Sequence, residues 1–291
     1  VKPADPLAGL YVASVTPLSD DGATLDLGAI GPLLDHFGRR GLKGLLALGS
    51  TGEFSSLSLE ERRAVLSEIF SAKAGMKVIV GCGGSALPDV LDLLSLAAKK
   101  GAVAALVPPP FYYRTASAEG LERFFRAILE AAEIPVILYH VPALTGIPID
   151  RKMLERLASF PALWGIKDTG GKMQETVRYL SHPPARVMLG SDTLLETGLK
   201  AGIQGSISAC ANIVPDIVSS IMKSYNQGVE MSGAQKKLTK IREYIRNYPF
   251  HASLKHWLRL NGIKTGGVRV PLIPLSVQES DNIAKIRLNY L

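Results

Sequence analysis

One lysine and a scatter of hydroxyls are the residues of this chain best suited to chemistry. Lys167 closes an apolar run, ALWGIK at 162–167, and is followed at once by Asp168-Thr169-Gly170-Gly171. Such a run reads as a buried strand. An ammonium at its end loses hydration, which disfavours the charged form and makes a nucleophilic amine accessible near neutral pH. That is what a Schiff-base lysine requires; the plainer alternative is a lysine that leaves the strand and snorkels to water. Other apolar runs end in Gly49-Ser50-Thr51-Gly52-Glu53, Gly81-Cys82-Gly83-Gly84, the stretch Pro108 to Tyr113, Tyr139, Gly190-Ser191-Asp192, and Ser206 with Ser208. Metal-dependent enolate chemistry would need converging His, Asp or Glu ligands, and His140 alone does not supply them. The electron sink is therefore expected to be covalent, with no metal and no cofactor. A lysine iminium with a 2-oxo acid lets the adjacent carbon lose a proton or break a C–C bond, and a phenol such as Tyr139 can carry protons to and from the departing oxygen.

The elements that must position these groups alternate. Apolar, β-rich runs occur at 10–16, 44–49, 77–82, 102–108, 135–140, 162–167, 186–190 and 203–208, which makes eight candidate strands. Between them lie amphipathic stretches such as 26–40, 58–74, 86–100, 118–132 and 149–159, several opened by cap-like residues: Asp26, Ser58 with Glu61 three on, and Asp150. Runs too apolar for a half-exposed sheet, alternating with helices, predict an α/β fold of the parallel (β/α)8 TIM-barrel type, in which chemistry sits at the C-terminal strand ends. A doubly wound sheet would announce a Gly-rich phosphate loop after its first strand, and here Thr16-Pro17-Leu18 follows instead. Beyond 228 the period stays helical, over 229–247, 250–261 and 275–289, so the barrel is assigned to 1–228 and a helical appendage to 229–291.

Composition sets the outer bounds. The 291 residues, 47% hydrophobic and 20% charged, suit one large globular barrel. The absence of a membrane-length apolar run and of an apolar leader in VKPADPLAGL points to a soluble cytoplasmic protein without a membrane partner. Cys82 and Cys210 fit reduced, packed thiols. The net charge of +7 is spread without a basic-aromatic motif, which argues against nucleic acid and suits small anionic substrates. Cys210 and Ser208 have no histidine placed to activate them, and His140 points away from Tyr139 on its strand and reads as structural.

The segments GSTGE at 49–53, LYHVPALTG at 138–146 and GIKDTGG at 165–171, in that order, together with GGVRVPLIPLS at 266–276, resemble the dihydrodipicolinate synthase/N-acetylneuraminate lyase superfamily over essentially the whole chain. The resemblance implies a pyruvate-dependent class I aldolase. Lys167 would form the Schiff base and Tyr139 would be the acid/base phenol. Ser50, Thr51 and Gly52 would hold the pyruvyl carboxylate, and Ser50 would link Tyr139 to a tyrosine from a neighbouring subunit. That tyrosine is Tyr112, or Tyr113 if the alignment slips by one. The implied assembly is a homotetramer built as a dimer of dimers.

Departures from the family pattern bear on the substrate. Dihydrodipicolinate synthases place an arginine where Leu144 stands, and an apolar side chain cannot grip a carboxylate in a bidentate pair. Thr169 and Asp192 resemble the N-acetylneuraminate lyase branch, but Thr193 and Ala209 replace a glutamate and a serine of its sugar site. The KDTGG run, ISACANIVP at 207–215 and the GG-x-R-x-P-L ending resemble 4-hydroxy-2-oxoglutarate and 2-keto-3-deoxy sugar acid aldolases. The preferred expectation is reversible cleavage of a 4-hydroxy-2-oxo acid to pyruvate and an aldehyde, with Thr169, Gly171, Asp192 and Ser208 on the aldehyde side. The alternatives are a dihydrodipicolinate synthase, an N-acetylneuraminate lyase, a dehydratase using the same iminium, a silent binding member, and a flavin or nicotinamide barrel.

Overall fold

Apolar runs bounded by turn residues can bury both faces only between layers of helix, and each of the eight forms a strand. The computed structural model describes residues 5–73 and 75–290; the first four residues, read above as lacking a leader, lie outside the described residues. The strands are β1 Gly9–Ala13, β2 Gly44–Ala47, β3 Lys77–Gly81, β4 Ala104–Val107, β5 Val136–His140, β6 Leu163–Asp168, β7 Val187–Leu189 and β8 Gly205–Ser208. They close a parallel barrel in chain order, with helices between them, giving the (β/α)8 fold. The three C-terminal helices expected from the sequence are Ser232–Ile245, Phe250–Leu260 and Val277–Tyr290.

Two of the three expected caps form. Ser58 and Glu61 make a reciprocal capping box on the Leu59–Ala72 helix, and Asp150 accepts from the Met153 N–H at 2.8 Å. Asp26 makes no side-chain cap, and its carboxylate pairs with Lys264 at 2.8 Å instead. No helix among the described residues is long and apolar enough to cross a membrane.

The chain divides into two compact units. One holds the described residues through Leu10 with Lys77–Ile207, and the other holds Tyr11–Met76 with the described residues from Ser208 onward. In the first, β5 and β6 are buried along their whole length. Their register is irregular: Val136 pairs with Leu163, but Ile137 pairs with Gly165, so β6 carries one extra residue, Trp164. The Trp164 indole N–H reaches the Asp5 carboxylate at 3.1 Å. Gly165 is required beside it, because a Cβ there would lie 2.3 Å from the Arg186 carbonyl oxygen.

In the second unit, buried Asn212 joins distant segments. Its Nδ2 donates to Ala13 O at 2.7 Å and Ala209 O at 2.8 Å, and its Oδ1 accepts from the Val15 N–H at 3.2 Å. These bonds satisfy backbone groups at the end of β1, just past it and just past β8.

Candidate active site

The bulge in β6 decides which side chains meet in the first unit. After it, Tyr139 pairs with Lys167 and His140 with Asp168. Neighbouring residues of parallel strands share a face, so lysine and phenol stand together. Both are buried, and Lys167 Nζ lies 4.2 Å from the centroid of the Tyr139 ring. A desolvated cation over an aromatic face gains about 2 kcal/mol, which offsets only part of the cost of burying an ammonium. Among the described residues Lys167 has no carboxylate partner, so its amine is not tied up by an ion pair.

Room around the lysine stem comes from Gly190, just past β7. A Cβ there would fall 2.1 Å from Thr169 Oγ1 and 3.0 Å from Lys167 Cε. The Thr169 hydroxyl is buried without a hydrogen-bond partner among the described residues. That leaves it a donor and acceptor for a bound molecule. Gly171 takes a left-handed backbone (φ +77°) with open space around its Cα. Asp192 is buried in the turn that follows β7.

Behind Lys167 the polar groups are paired. Asp168 accepts from the Gly170 N–H at 2.8 Å and from the Thr176 hydroxyl at 2.6 Å, which fixes the turn Asp168–Gly171. His140 faces the other side of β5, as expected. Its Nδ1 accepts from the Ile149 N–H at 3.1 Å and its ring meets Tyr179 edge-on at 5.7 Å. Burial holds the His140 pKa below its usual value, opposed by the charges of Asp168 and Glu175. Burial likewise raises the Tyr179 phenol, and Asp168 adds to the effect. Tyr179 donates to Ile149 O at 2.6 Å.

The second unit carries Ser50, Thr51 and Gly52, which form a short 3-10 turn. Residues in left-handed backbone flank it: Leu48 (φ 54°) and Glu53 (φ 58°). For side chains of this kind that conformation costs roughly 1 kcal/mol or more each. Gly52 sits close against its neighbours, since a Cβ would meet Ser14 O at 3.0 Å and Thr16 Oγ1 at 3.1 Å and would push them aside by a few tenths of an ångström. Neither the Ser50 nor the Thr51 hydroxyl is engaged by a partner among the described residues, so both can donate to an anion.

Glu53 was read only as the end of the GSTGE segment, yet its side chain is fully buried against Lys255, with Nζ 2.5 Å from Oε1. Lys255 also donates to Gly267 O at 2.6 Å, and Glu53 Oε2 accepts from the Arg269 N–H at 2.9 Å. Burial lowers the Lys255 pKa, opposed by the charge and hydrogen bond of Glu53. Arg269 in turn grips Glu61 at 2.6 and 2.7 Å. Burial raises the Glu61 pKa, but hydrogen bonds from Arg269 and Ser58, together with the Arg269 charge, outweigh it and leave the pKa below its ordinary value. A lysine one turn after His251 in an apolar helix was the available signal for this cluster.

Ser208, Tyr112 and Tyr113 complete the expected residues. Ser208 Oγ accepts from the Ala211 N–H at 3.0 Å, holding the turn after β8. Tyr112 and Tyr113 are 77% and 67% exposed and pack edge-on at 5.2 Å. Leu144 is also exposed. No group of three or more His, Cys, Asp or Glu side chains among the described residues is arranged to hold a metal ion.

The parallel barrel sets a buried lysine against a phenol on the neighbouring strand, and the relatives of this chain place it in the class of lyases. Residues 6–288 match the dihydrodipicolinate synthetase family, and the chain belongs to that family, within a superfamily whose members are lyases. An uncharacterized DapA-like lyase of Chloroflexus aurantiacus is 32% identical over 97% of this chain and 95% of its own length. The 4-hydroxy-tetrahydrodipicolinate synthase of Dechloromonas aromatica is 32% identical over 93% of this chain and 94% of its own. Among solved structures, YagE, a prophage protein of the dihydrodipicolinic acid synthase family from E. coli K12 in complex with pyruvate, superposes with a TM-score of 0.92 at 28% identity, over 98% of this chain and 99% of that one. N-acetylneuraminate lyase of Proteus mirabilis shares the fold, with a TM-score of 0.90 at 24% identity over 98% of this chain and 99% of that one.

Proposed function

We propose that this lyase cleaves a 4-hydroxy-2-oxo acid reversibly to pyruvate and an aldehyde through a Schiff base on Lys167. The observation that carries the reading is the Lys167 amine, buried, free of any carboxylate among the described residues and 4.2 Å from the centre of the Tyr139 ring. The amine adds to the C2 carbonyl and water leaves, giving an iminium. Tyr139 takes the proton of the C4 hydroxyl, the C3–C4 bond breaks, and its electron pair moves toward the iminium to give an enamine while the aldehyde departs. Protonation at C3 and hydrolysis release pyruvate and restore the amine.

In this reading Ser50, Thr51 and Gly52 hold the pyruvyl carboxylate, and Ser50 passes protons between Tyr139 and Tyr112 of a neighbouring copy. The exposure of Tyr112 and Tyr113 in the single chain is compatible with such a crossing. The Thr169 hydroxyl, without a hydrogen-bond partner among the described residues, supports a place for it on the aldehyde side, which this reading gives also to Gly171, Asp192 and Ser208. A cytoplasmic homotetramer completes the proposal.

A second reading, condensation of pyruvate with aspartate semialdehyde, draws on the relatives named 4-hydroxy-tetrahydrodipicolinate synthase; Leu144, where a carboxylate-gripping arginine would stand, weighs against it. The test is intact mass after borohydride, with and without pyruvate, followed by peptide mapping and an aldehyde screen. A pyruvate-dependent adduct on Lys167 is expected. Folded protein that yields none overturns the Schiff-base reading, and an adduct with turnover only on aspartate semialdehyde favours the second.

A further inference from the structure

The Phe250–Leu260 helix lies far along the chain from any residue of the proposed chemistry, yet two of its side chains are committed to the turn after β2. His251 and Lys255 are one helical turn apart and so share a face. His251 Nε2 donates to Ser50 O at 2.9 Å. Lys255 reaches the Glu53 carboxylate at 2.5 Å, with both side chains essentially sealed from solvent. The other Glu53 oxygen takes the Arg269 N–H, and the Arg269 guanidinium is itself fixed by Glu61, Gly22 O and Ala23 O. Both ends of the 50–52 turn are thus tethered, His251 holding its first residue and Lys255 the residue that closes it.

We infer that His251, Lys255 and Glu53 are positioning residues that hold the Ser50–Thr51 turn in place between its left-handed flanking residues, ready to receive a carboxylate. The inference rests on the reading that this turn binds the pyruvyl carboxylate. Two features distinguish the cluster from ordinary packing. A buried ion pair is a costly way to fill a core, because hydrophobic side chains would do it as well or better. Left-handed Leu48 and Glu53 also persist only where neighbouring contacts over-determine the backbone. Without the tethers the turn can relax to an ordinary backbone, and its free hydroxyls no longer converge before the carboxylate arrives. The energy of ordering it then falls on binding.

The test compares His251→Phe, His251→Gln, Glu53→Gln and the unaltered protein by the pyruvate concentration that half-saturates borohydride trapping on Lys167. Ser117→Ala, which removes a helix cap in the other unit, is the stability control. Loss of one tethering hydrogen bond in His251→Phe is expected to raise the half-saturating concentration by roughly 3- to 10-fold, and Glu53→Gln by about 10-fold or more. Trapping at saturating pyruvate stays complete in both. His251→Gln still offers a donor to Ser50 O and is expected to restore the value to within about twofold. The control is expected to lower the melting temperature without moving half-saturation.

A half-saturating concentration unchanged in folded His251→Phe and Glu53→Gln overturns the inference and leaves the Schiff-base reading intact. A rise in the control matching theirs also overturns it, as a generic stability effect. Absence of any adduct in the unaltered protein overturns both.

Discussion

Lys167 and Lys255 are buried to the same degree, at 4% and 1% exposure, and sit in opposite chemical situations. Lys255 spends its charge on Glu53 and one further bond on a backbone carbonyl. Lys167 faces an aromatic ring, with no carboxylate among the described residues to hold its proton. Burial is thus common to both, and the counter-ion is not. In the Schiff-base reading proposed above the lysine without one is the nucleophile, because an amine engaged by a carboxylate is not available to attack.

The sharpest way to break this contrast is to replace each lysine with methionine. Lys167→Met is expected to lower turnover by at least about 10⁴-fold while leaving the denaturation midpoint unchanged or raised, since it removes an unpaired buried amine. Lys255→Met should do the reverse in kind. Stranding Glu53 without its partner costs about 3–5 kcal/mol, measured by urea unfolding, while borohydride adduct formation on Lys167 persists wherever the variant is folded. A large stability loss in Lys167→Met would show that its amine is structurally engaged after all.

Tyr139→Phe sharpens the other side of the contrast. The ring that faces Lys167 Nζ is kept and only the hydroxyl goes, so pyruvate should still be trapped on Lys167 while cleavage falls by roughly 10²–10⁴-fold. Equal losses in both would assign the phenol to orienting the lysine rather than to proton transfer.

A smaller effect separates the units by pH. In the second unit, burial and then the Arg40 charge lower the His36 pKa to about 4. Between pH 6.5 and about 4 the unfolded chain takes a proton on this residue that the folded chain refuses, so the stability it contributes is present above that window and lost as pH falls through it. His36→Gln should therefore flatten the acid limb of a stability profile by about 1–2 kcal/mol after allowance for solvent screening. His140, shifted in the same direction, adds to the acid limb that remains. An unchanged profile would mean that the ring is already accessible in the native state.

How much of this was legible in the sequence differs by element. All eight strands could be read from apolar runs, because full burial between helix layers leaves no polar alternation to confuse. Lys167 and Tyr139 could be singled out by type and motif. Their side-by-side placement could not, because ALWGIK reads as one continuous run and nothing in it marks Trp164 as the extra residue of a bulge. Asp26 had the form of a cap, but a cation much later in the chain, Lys264, took its carboxylate. The Glu53–Lys255 pair was hidden for a similar reason. A charged residue at a helical spacing normally reads as a solvated face, and only long-range contact reveals that this face is sealed.

The extra residue in β6 makes the strand a matter of odd and even. Counting from Val136 and Leu163 without it, the partner of Tyr139 would be Ile166, and the lysine would fall on the opposite face of the sheet, toward the helices. One inserted indole, anchored outward on Asp5, changes the parity of everything downstream and turns an amine from the outside of the barrel to the inside. In the proposed reading, catalytic identity thus depends on a count of residues as much as on their kinds. A single-residue deletion at Trp164 would keep every proposed catalytic group in the sequence and is expected still to silence the protein.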